Sequence, residues 1–121
     1  MILENYGKDS VKIEKCMPLT LDLGRSDLDM VSFYGTYNQE MRIERHPLHH
    51  GLQSVYSNRG ATSHHYNPFI ALCDRKASEE RGEVYGFNLI YSGNFEFSAE
   101  CDYSGTTRII MGINPTDFSW H

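Results

Sequence analysis

Histidine is the residue type in this sequence with the most obvious capacity for chemistry, and there are six. His46, His49 and His50 surround a Pro-Leu turn, and His64-His65 follow a glycine-containing loop. An H-x-H pair on a strand would place two imidazoles on one face, the spacing a cupin-like metal site uses. The chain has no H-x-H. Adjacent histidines on a strand point to opposite faces, so each His-His pair offers one ligand at most. No glutamate follows at a ligand-like interval, so these read as loop histidines with local hydrogen bonds. No metal and no other cofactor is expected, and a metal-dependent cupin-like enzyme is the least supported reading.

Carboxylates come next. Asp22, Asp27 and Asp29 lie near a turn, and Glu79-Glu80 lies in a charged loop. Glycoside hydrolysis needs two carboxyl groups about 5–9 Å apart. Nothing in the sequence brings two together, so all are expected to be solvated loop acids. There is no G-x-S-x-G, and no cysteine sits in an electropositive setting. The glycines punctuate turns and form no phosphate-binding loop. No catalytic residue is expected.

The densest run of donors and acceptors is Ser54–Phe69. Arg59-Gly60 opens it and Asn67-Pro68 closes it. Arg59, His65 and Asn67 are the candidate contact residues. Arginine and asparagine give directional bonds, and the tyrosines between them give flat stacking surfaces. The competing reading is an ordered crossover between two sheets, with its polar side chains satisfying backbone groups. The residues alone favour the crossover.

Almost every other segment reads as strand. From Asn94 to Asp102, Phe95, Phe97, Ala99 and Cys101 share one face, against Glu96, Ser98, Glu100 and Asp102. Such alternation places one face on a core and the other in water. Glu83–Ser92 carries Tyr85, Phe87, Leu89 and Tyr91 on one face with a largely apolar opposite face, which predicts a central strand. Gly93-Asn94 and Ser104-Gly105 carry tight-turn chemistry. With Thr107–Ile113 following, residues 83–113 are expected to form a three-stranded meander. Upstream, the pattern predicts strands at Ser10–Cys16, through Leu19, Leu21 and Leu23, and at Met30–Tyr37, Met41–Arg45, Leu52–Ser57 and Phe69–Cys73. Residues 77–81 read as a charged loop. The fold class is all-β, an antiparallel sandwich or barrel-like pair of sheets.

Composition sets outer limits. The 121 residues carry 11 basic and 16 acidic side chains, a net charge of -5. That sign repels phosphate backbones, so no nucleic-acid partner is expected. No apolar run reaches the ~18 residues needed to cross a bilayer, so no membrane partner is expected either. Cys16, Cys73 and Cys101 form no C-x-x-C pair and are odd in number, which suits small buried hydrophobes in a reducing compartment. The first residues, MILENYGKDS, have no basic n-region and no apolar h-region. Together these point to a cytoplasmic location.

Three long blocks carry a resemblance: RHPLHHGLQSVYSNRGATSHHYNPFIAL (Arg45–Leu72), GEVYGFNLIYSGNF (Gly82–Phe95) and RIIMGINPTDFSW (Arg108–Trp120). They resemble successive motifs of the N-terminal β-supersandwich domain of glycoside hydrolase family 36 α-galactosidases. The bacterial enzymes acting on melibiose and raffinose are the nearest. ENYGKDSVKIEKCMPLTLDL (Glu4–Leu23) is similar to the strand–turn–strand preceding those motifs. The resemblance covers essentially the whole chain.

The resemblance implies a fragment. Residues 1–121 would be the latter part of the supersandwich, with the catalytic (β/α)8 barrel and a C-terminal β-domain absent. Family members hydrolyse terminal α-galactosides with retention, using two barrel aspartates. One follows a Lys-Trp dipeptide and the other lies near a Cys-Ser-Gly-rich motif; neither motif occurs here. No catalytic residue carries over, and the chain by itself is expected to be inactive. Its implied partners are the remaining enzyme and further copies of itself, with an α-galactoside as the parent's substrate. Arg59, His65 and Asn67 match the family-like motif as an inter-domain or ligand-contact loop. The alternative is a stand-alone carbohydrate-binding module, with Tyr34, Tyr37, Tyr56 and Tyr66 stacking on sugar rings. Both ends look cut: Asn5–Lys8 resembles an inter-strand turn, and Phe118–His121 an aromatic segment normally buried. An incomplete sandwich would expose strand edges and apolar faces, so self-association is expected.

Overall fold

The computed structural model describes residues 2–62 and 65–114. Eight strands follow one another: β1 (Cys16–Leu23), β2 (Leu28–Thr36), β3 (Gln39–Pro47), β4 (Gly51–Tyr56), β5 (Tyr66–Asp74), β6 (Val84–Asn88), β7 (Phe95–Cys101) and β8 (Thr107–Ile113). They form two four-stranded sheets, ordered β1-β8-β7-β4 and β3-β2-β5-β6. The six strand pairings are all antiparallel, and one isolated parallel bridge joins His50 to Cys101. No helix of the described residues is long and apolar enough to cross a membrane.

The core lies between the sheets. Val55, Phe95, Phe97, Ala99, Ile109 and Met111 come from the first, and Leu28, Met30, Ile70, Leu72 and Phe87 from the second. Phe97 is fully buried and meets Phe87 of the opposite sheet with ring centroids 5.8 Å apart. Burying a side chain of this size stabilises the fold by roughly 1.5–3 kcal/mol. The alternation read over residues 95–101 and 107–113 is present as expected, with its odd-numbered residues packed inward.

The expected meander over 83–113 does not form. β7 and β8 do make a hairpin, with Phe97 opposite Met111 and Ala99 opposite Ile109. β6 instead joins the other sheet, placing Phe87 opposite Ile70 and Tyr85 opposite Leu72. Residues 89–94 therefore cross between sheets, and Gly93-Asn94 is not a hairpin turn. Period-2 alternation reports which face is apolar, not which sheet the strand joins. Phe87 reaches the same core from the opposite side. β6 is also an edge strand rather than a central one, since it ends the order β3-β2-β5-β6, and Val84 on its outer face is 57% exposed.

The strand expected over Ser10–Cys16 begins only at Cys16. Val11 is 56% exposed, so the upstream alternation has no surface to pack against. At Asn5–Lys8, read as an inter-strand turn, Asn5 Oδ1 accepts from the Gly7 amide at 2.8 Å, but among the described residues no strand flanks it. The aromatic segment Phe118–His121 lies outside the described residues.

The two outer faces differ in character. On the first sheet, Arg108 makes a bidentate contact with Asp22, Nε–Oδ1 2.8 Å and Nη2–Oδ2 2.9 Å, beside Glu100, and Lys15 pairs with Glu96 at 3.1 Å. On the second, Val31, Phe33 and Phe69 are only half-buried, and Phe33 and Phe69 are 5.7 Å apart. Ile43, paired with Phe33, is 68% exposed, and Met41 is 56% exposed. One face is wet; the other carries an exposed apolar patch around Phe33 and Ile43, beside the Asp29–Arg45 pair.

The β7–β8 turn is built by Asp102, whose Oδ1 accepts from the Ser104 hydroxyl at 2.7 Å and from the Ser104 and Thr106 amides at 2.9 Å. Gly105 completes it at φ 83°. The Ser104 hydroxyl, helped by the amides, holds the Asp102 carboxyl below its ordinary range. Arg108 does the same to Asp22. A lowered folded-state pKa contributes stability above the unfolded carboxyl range and loses it as pH falls through the folded value. The urea midpoint is thus expected to drop between about pH 4 and pH 2. Asp102→Ala should shrink that drop, and an unaltered acid limb would contradict the assignment.

Candidate functional site

The loop after β4 starts at Ser57, whose amide donates to the Phe95 carbonyl at 2.9 Å. The Ser57 hydroxyl donates to the Ala61 carbonyl at 2.7 Å, closing residues 57–61 on themselves. The Thr62 amide donates to Ser92 at 2.8 Å, and the His65 carbonyl accepts from Gly35 at 3.2 Å. Ser57 is thereby tied to β7, Thr62 to the 89–94 crossover and His65 to β2. Gly60 sits between them at φ 74°, a left-handed backbone that glycine adopts without strain. Arg59 is thus carried on a fastened stretch, residues 57–62, with its side chain exposed.

Beneath it lies an open cavity of about 290 Å³, lined by Ser57, Tyr56, Asn58, Arg59, His65 and Tyr66 among others. Tyr56 is 50% and Tyr66 38% exposed. Two aromatic faces, a guanidinium, an imidazole and a carboxamide in one concavity suit a polar, hydroxyl-rich partner or a docked loop. Arg59 and His65 therefore come together. Asn67 does not join them: its Oδ1 accepts from the Phe69 amide at 3.2 Å, and its Nδ2 approaches Met41 Sδ at 3.6 Å. That is a local turn contact at the head of β5. Of the other tyrosines, Tyr34 pairs in register with Tyr66, and Tyr37 stands 79% exposed beside the β2–β3 turn.

The remaining histidines are dispersed. His49 and His50 border a second cavity of about 300 Å³ with Arg75 and Cys101, and His50 stacks on Tyr103 at 5.7 Å. Among the described residues, no three His, Cys, Asp or Glu side chains converge to hold a metal. His64 lies outside the described residues. The three cysteines are free, and burial pushes the Cys73 thiol up, away from a nucleophilic thiolate.

Not all the acids are solvated loop groups. Asp29 lies in β2, buried, with Oδ2 2.8 Å from Arg45 Nε. Arg45 also donates to the carbonyls of Asp74 at 2.8 Å and Ala77 and Arg75 at 3.0 Å, fastening the β5–β6 loop. Arg25 collects Asp27 at 2.8 Å, Asp74 at 2.7 Å and Glu83 at 3.1 Å. These carboxylates neutralise arginines at the end of the sandwich away from the Arg59 cavity.

Sequence reasoning missed one residue at the site. Asn94, read as a turn residue, is 1% exposed, and its Oδ1 accepts from the Gly60 amide at 2.6 Å. Nothing in a Gly-Asn dipeptide signals a buried contact 34 residues away in sequence.

The match to known proteins extends over this entire architecture. Residues 1–121 fit the family model of the glycosyl hydrolase family 36 N-terminal domain. The chain belongs to this family. The α-galactosidase AgaA of Geobacillus stearothermophilus is 46% identical over 117 residues, which are 97% of this chain and 16% of that enzyme. The bifunctional α-galactosidase/sucrose kinase AgaSK of Mediterraneibacter gnavus is 38% identical over 118 residues, 98% of this chain and 13% of that protein. The crystal structure of a Geobacillus AgaA variant in complex with raffinose superposes with a TM-score of 0.87 at 47% identity, covering 90% of this chain and 15% of that one. The chain thus spans only 13% to 16% of the length of these relatives.

Proposed function

We propose that this chain is a scaffold portion of a retaining α-galactosidase acting in cytoplasmic carbohydrate metabolism. Its parent would release terminal non-reducing α-galactosyl groups from melibiose- or raffinose-type oligosaccharides. The family match over all 121 residues carries this reading, and the raffinose bound to a related AgaA variant supports the substrate class. The acid/base and nucleophile would come from a barrel domain outside these residues, with a C-terminal domain beyond it. The chain's own part is to pack against that barrel and to make contacts between copies of the enzyme. The Arg59–His65 concavity is its inter-domain or ligand-contact surface, with Asn67 shaping the adjoining turn.

In the complete enzyme, Arg59→Ala is expected to lower kcat/KM by roughly tenfold, about the value of one charge-assisted hydrogen bond. A loss of thermal stability instead would assign the loop to domain packing. Unchanged kinetics together with unchanged melting would discard the contact role altogether.

The uncovered face of the second sheet bears on association. Met41 and Ile43 are more than half exposed, next to half-buried Val31, Phe33 and Phe69. Contiguous apolar surface of this kind seeks a cover. The isolated 121-residue chain is expected to self-associate at micromolar concentration in multi-angle light scattering, and Ile43→Lys to reduce it. A monodisperse wild-type monomer would count against this.

A further inference from the structure

We propose that Asn94 is a positioning residue that sets the direction of Arg59. The inference rests on the reading of the concavity around Arg59 and His65 as a contact surface. Asn94 is 1% exposed at the head of β7, immediately before fully buried Phe95. Its carboxamide oxygen accepts the amide of Gly60 at 2.6 Å, and Gly60 itself is exposed. A loop glycine at the surface ordinarily gives its amide to water; here a side chain from the core takes it. A Cβ built on Gly60 would meet nothing within 4 Å, so the left-handed φ rather than crowding calls for glycine there.

The contact fixes the peptide joining Arg59 to Gly60, and with it the point from which the guanidinium projects. The same asparagine continues the sheet, its carbonyl accepting from the Asn114 amide at 3.2 Å. Asn114 in turn donates through Nδ2 to Asn58 Oδ1 at 2.6 Å. The loop is thus clamped on both sides of Arg59: at Gly60 by the Asn94 side chain at the head of β7, and at Asn58 by the Asn114 side chain just past β8. An arginine held this way meets its partner with less entropy to lose than one on a free loop.

Amide hydrogen exchange resolved to single residues in the 121-residue chain tests the claim. In the wild type, the Gly60 amide is expected to exchange at least about tenfold more slowly than in a free peptide. Asn94→Ala should abolish that protection while Phe97 and Ile109 stay protected. Asn94→Asp keeps an acceptor oxygen and should keep the protection. Free-peptide exchange at Gly60 in the wild type, or protection that survives Asn94→Ala, overturns the proposal. If Asn94→Ala unfolds the sandwich, the wild type and Asn94→Asp decide: protection in both supports the proposal, and loss in a folded Asn94→Asp overturns it. In the complete enzyme, Asn94→Ala is expected to raise KM about tenfold with kcat little changed, and Asn94→Asp to restore it. Lost protection at Gly60 with unchanged KM would uphold the clamp and reject the contact role of the loop.

Discussion

The 121-residue chain, incubated with a chromogenic α-galactoside, is expected to release no chromophore above buffer, while a complete family 36 enzyme turns over alongside it. Retaining hydrolysis needs two carboxyl groups about 5–5.5 Å apart, one with its pKa raised so that it can donate a proton. Six of the described acids are engaged in the opposite way. Asp27, Asp74 and Glu83 surround Arg25, Asp29 sits on Arg45, and Asp22 sits on Arg108. Asp22, Asp27 and Asp102 all have lowered pKa values, through hydrogen bonds from Arg108, Arg25 and Ser104. A carboxylate held ionised by arginine is a poor general acid. Enzymes supply at least about 10⁶-fold over the uncatalysed reaction, so even weak genuine catalysis would stand clear of the blank. Turnover that co-purifies with the chain and vanishes in an Asp29→Asn or Asp74→Asn variant would overturn the scaffold reading.

The largest stability effect is expected at Phe97. Its ring is fully buried, it sits opposite Val55 and Met111 in its own sheet, and it meets Phe87 across the interface. Truncation to alanine removes the principal contact between the sheets and leaves a cavity that rigid neighbouring strands fill poorly. The cost is expected to be about 3–5 kcal/mol. A domain of this size has a total stability of roughly 5–15 kcal/mol, so Phe97→Ala should unfold a substantial fraction of chains at ordinary temperature. Urea denaturation followed by circular dichroism in dilute solution measures it. Ile110→Ala serves as the comparison: Ile110 lies on the outer face and is half-buried, and it should cost much less. Equal effects at the two positions would mean that the core does not lie where the alternation places it.

Local pattern and tertiary placement divide cleanly in this molecule. The inward faces of β7 and β8 were legible because Phe95, Phe97, Ala99 and Cys101, and then Thr107, Ile109, Met111 and Ile113, alternate without a break. The Ser104-Gly105 turn was legible because its chemistry is local, held by Asp102 two to four residues away. The family was legible because it resides in long ordered blocks of residues, and the family match spans the same residues.

What could not be read depended on contacts between segments distant in sequence. The partner of β6 was one such case. Its apolar face satisfied the requirement of a core equally well from either sheet, and only packing Phe87 against Phe97 chose between them. Asp29 was another: a lone acid near a turn looks solvated until Arg45 of the neighbouring strand folds over it. Asn94 was a third, since its burial depends on a loop 34 residues upstream folding back to offer the Gly60 amide.

By itself, the sequence determined which residues alternate, where turns close and to which family the chain belongs. All three are encoded in neighbours a few residues apart or in the literal order of residues. The tertiary structure alone decided which sheet each strand joins, that Arg59 and His65 share a cavity while Asn67 turns away, and which buried side chain holds the loop. The physical reason is that side-chain periodicity constrains a strand's faces but leaves its lateral neighbour free. Only simultaneous burial of both sheets removes that freedom.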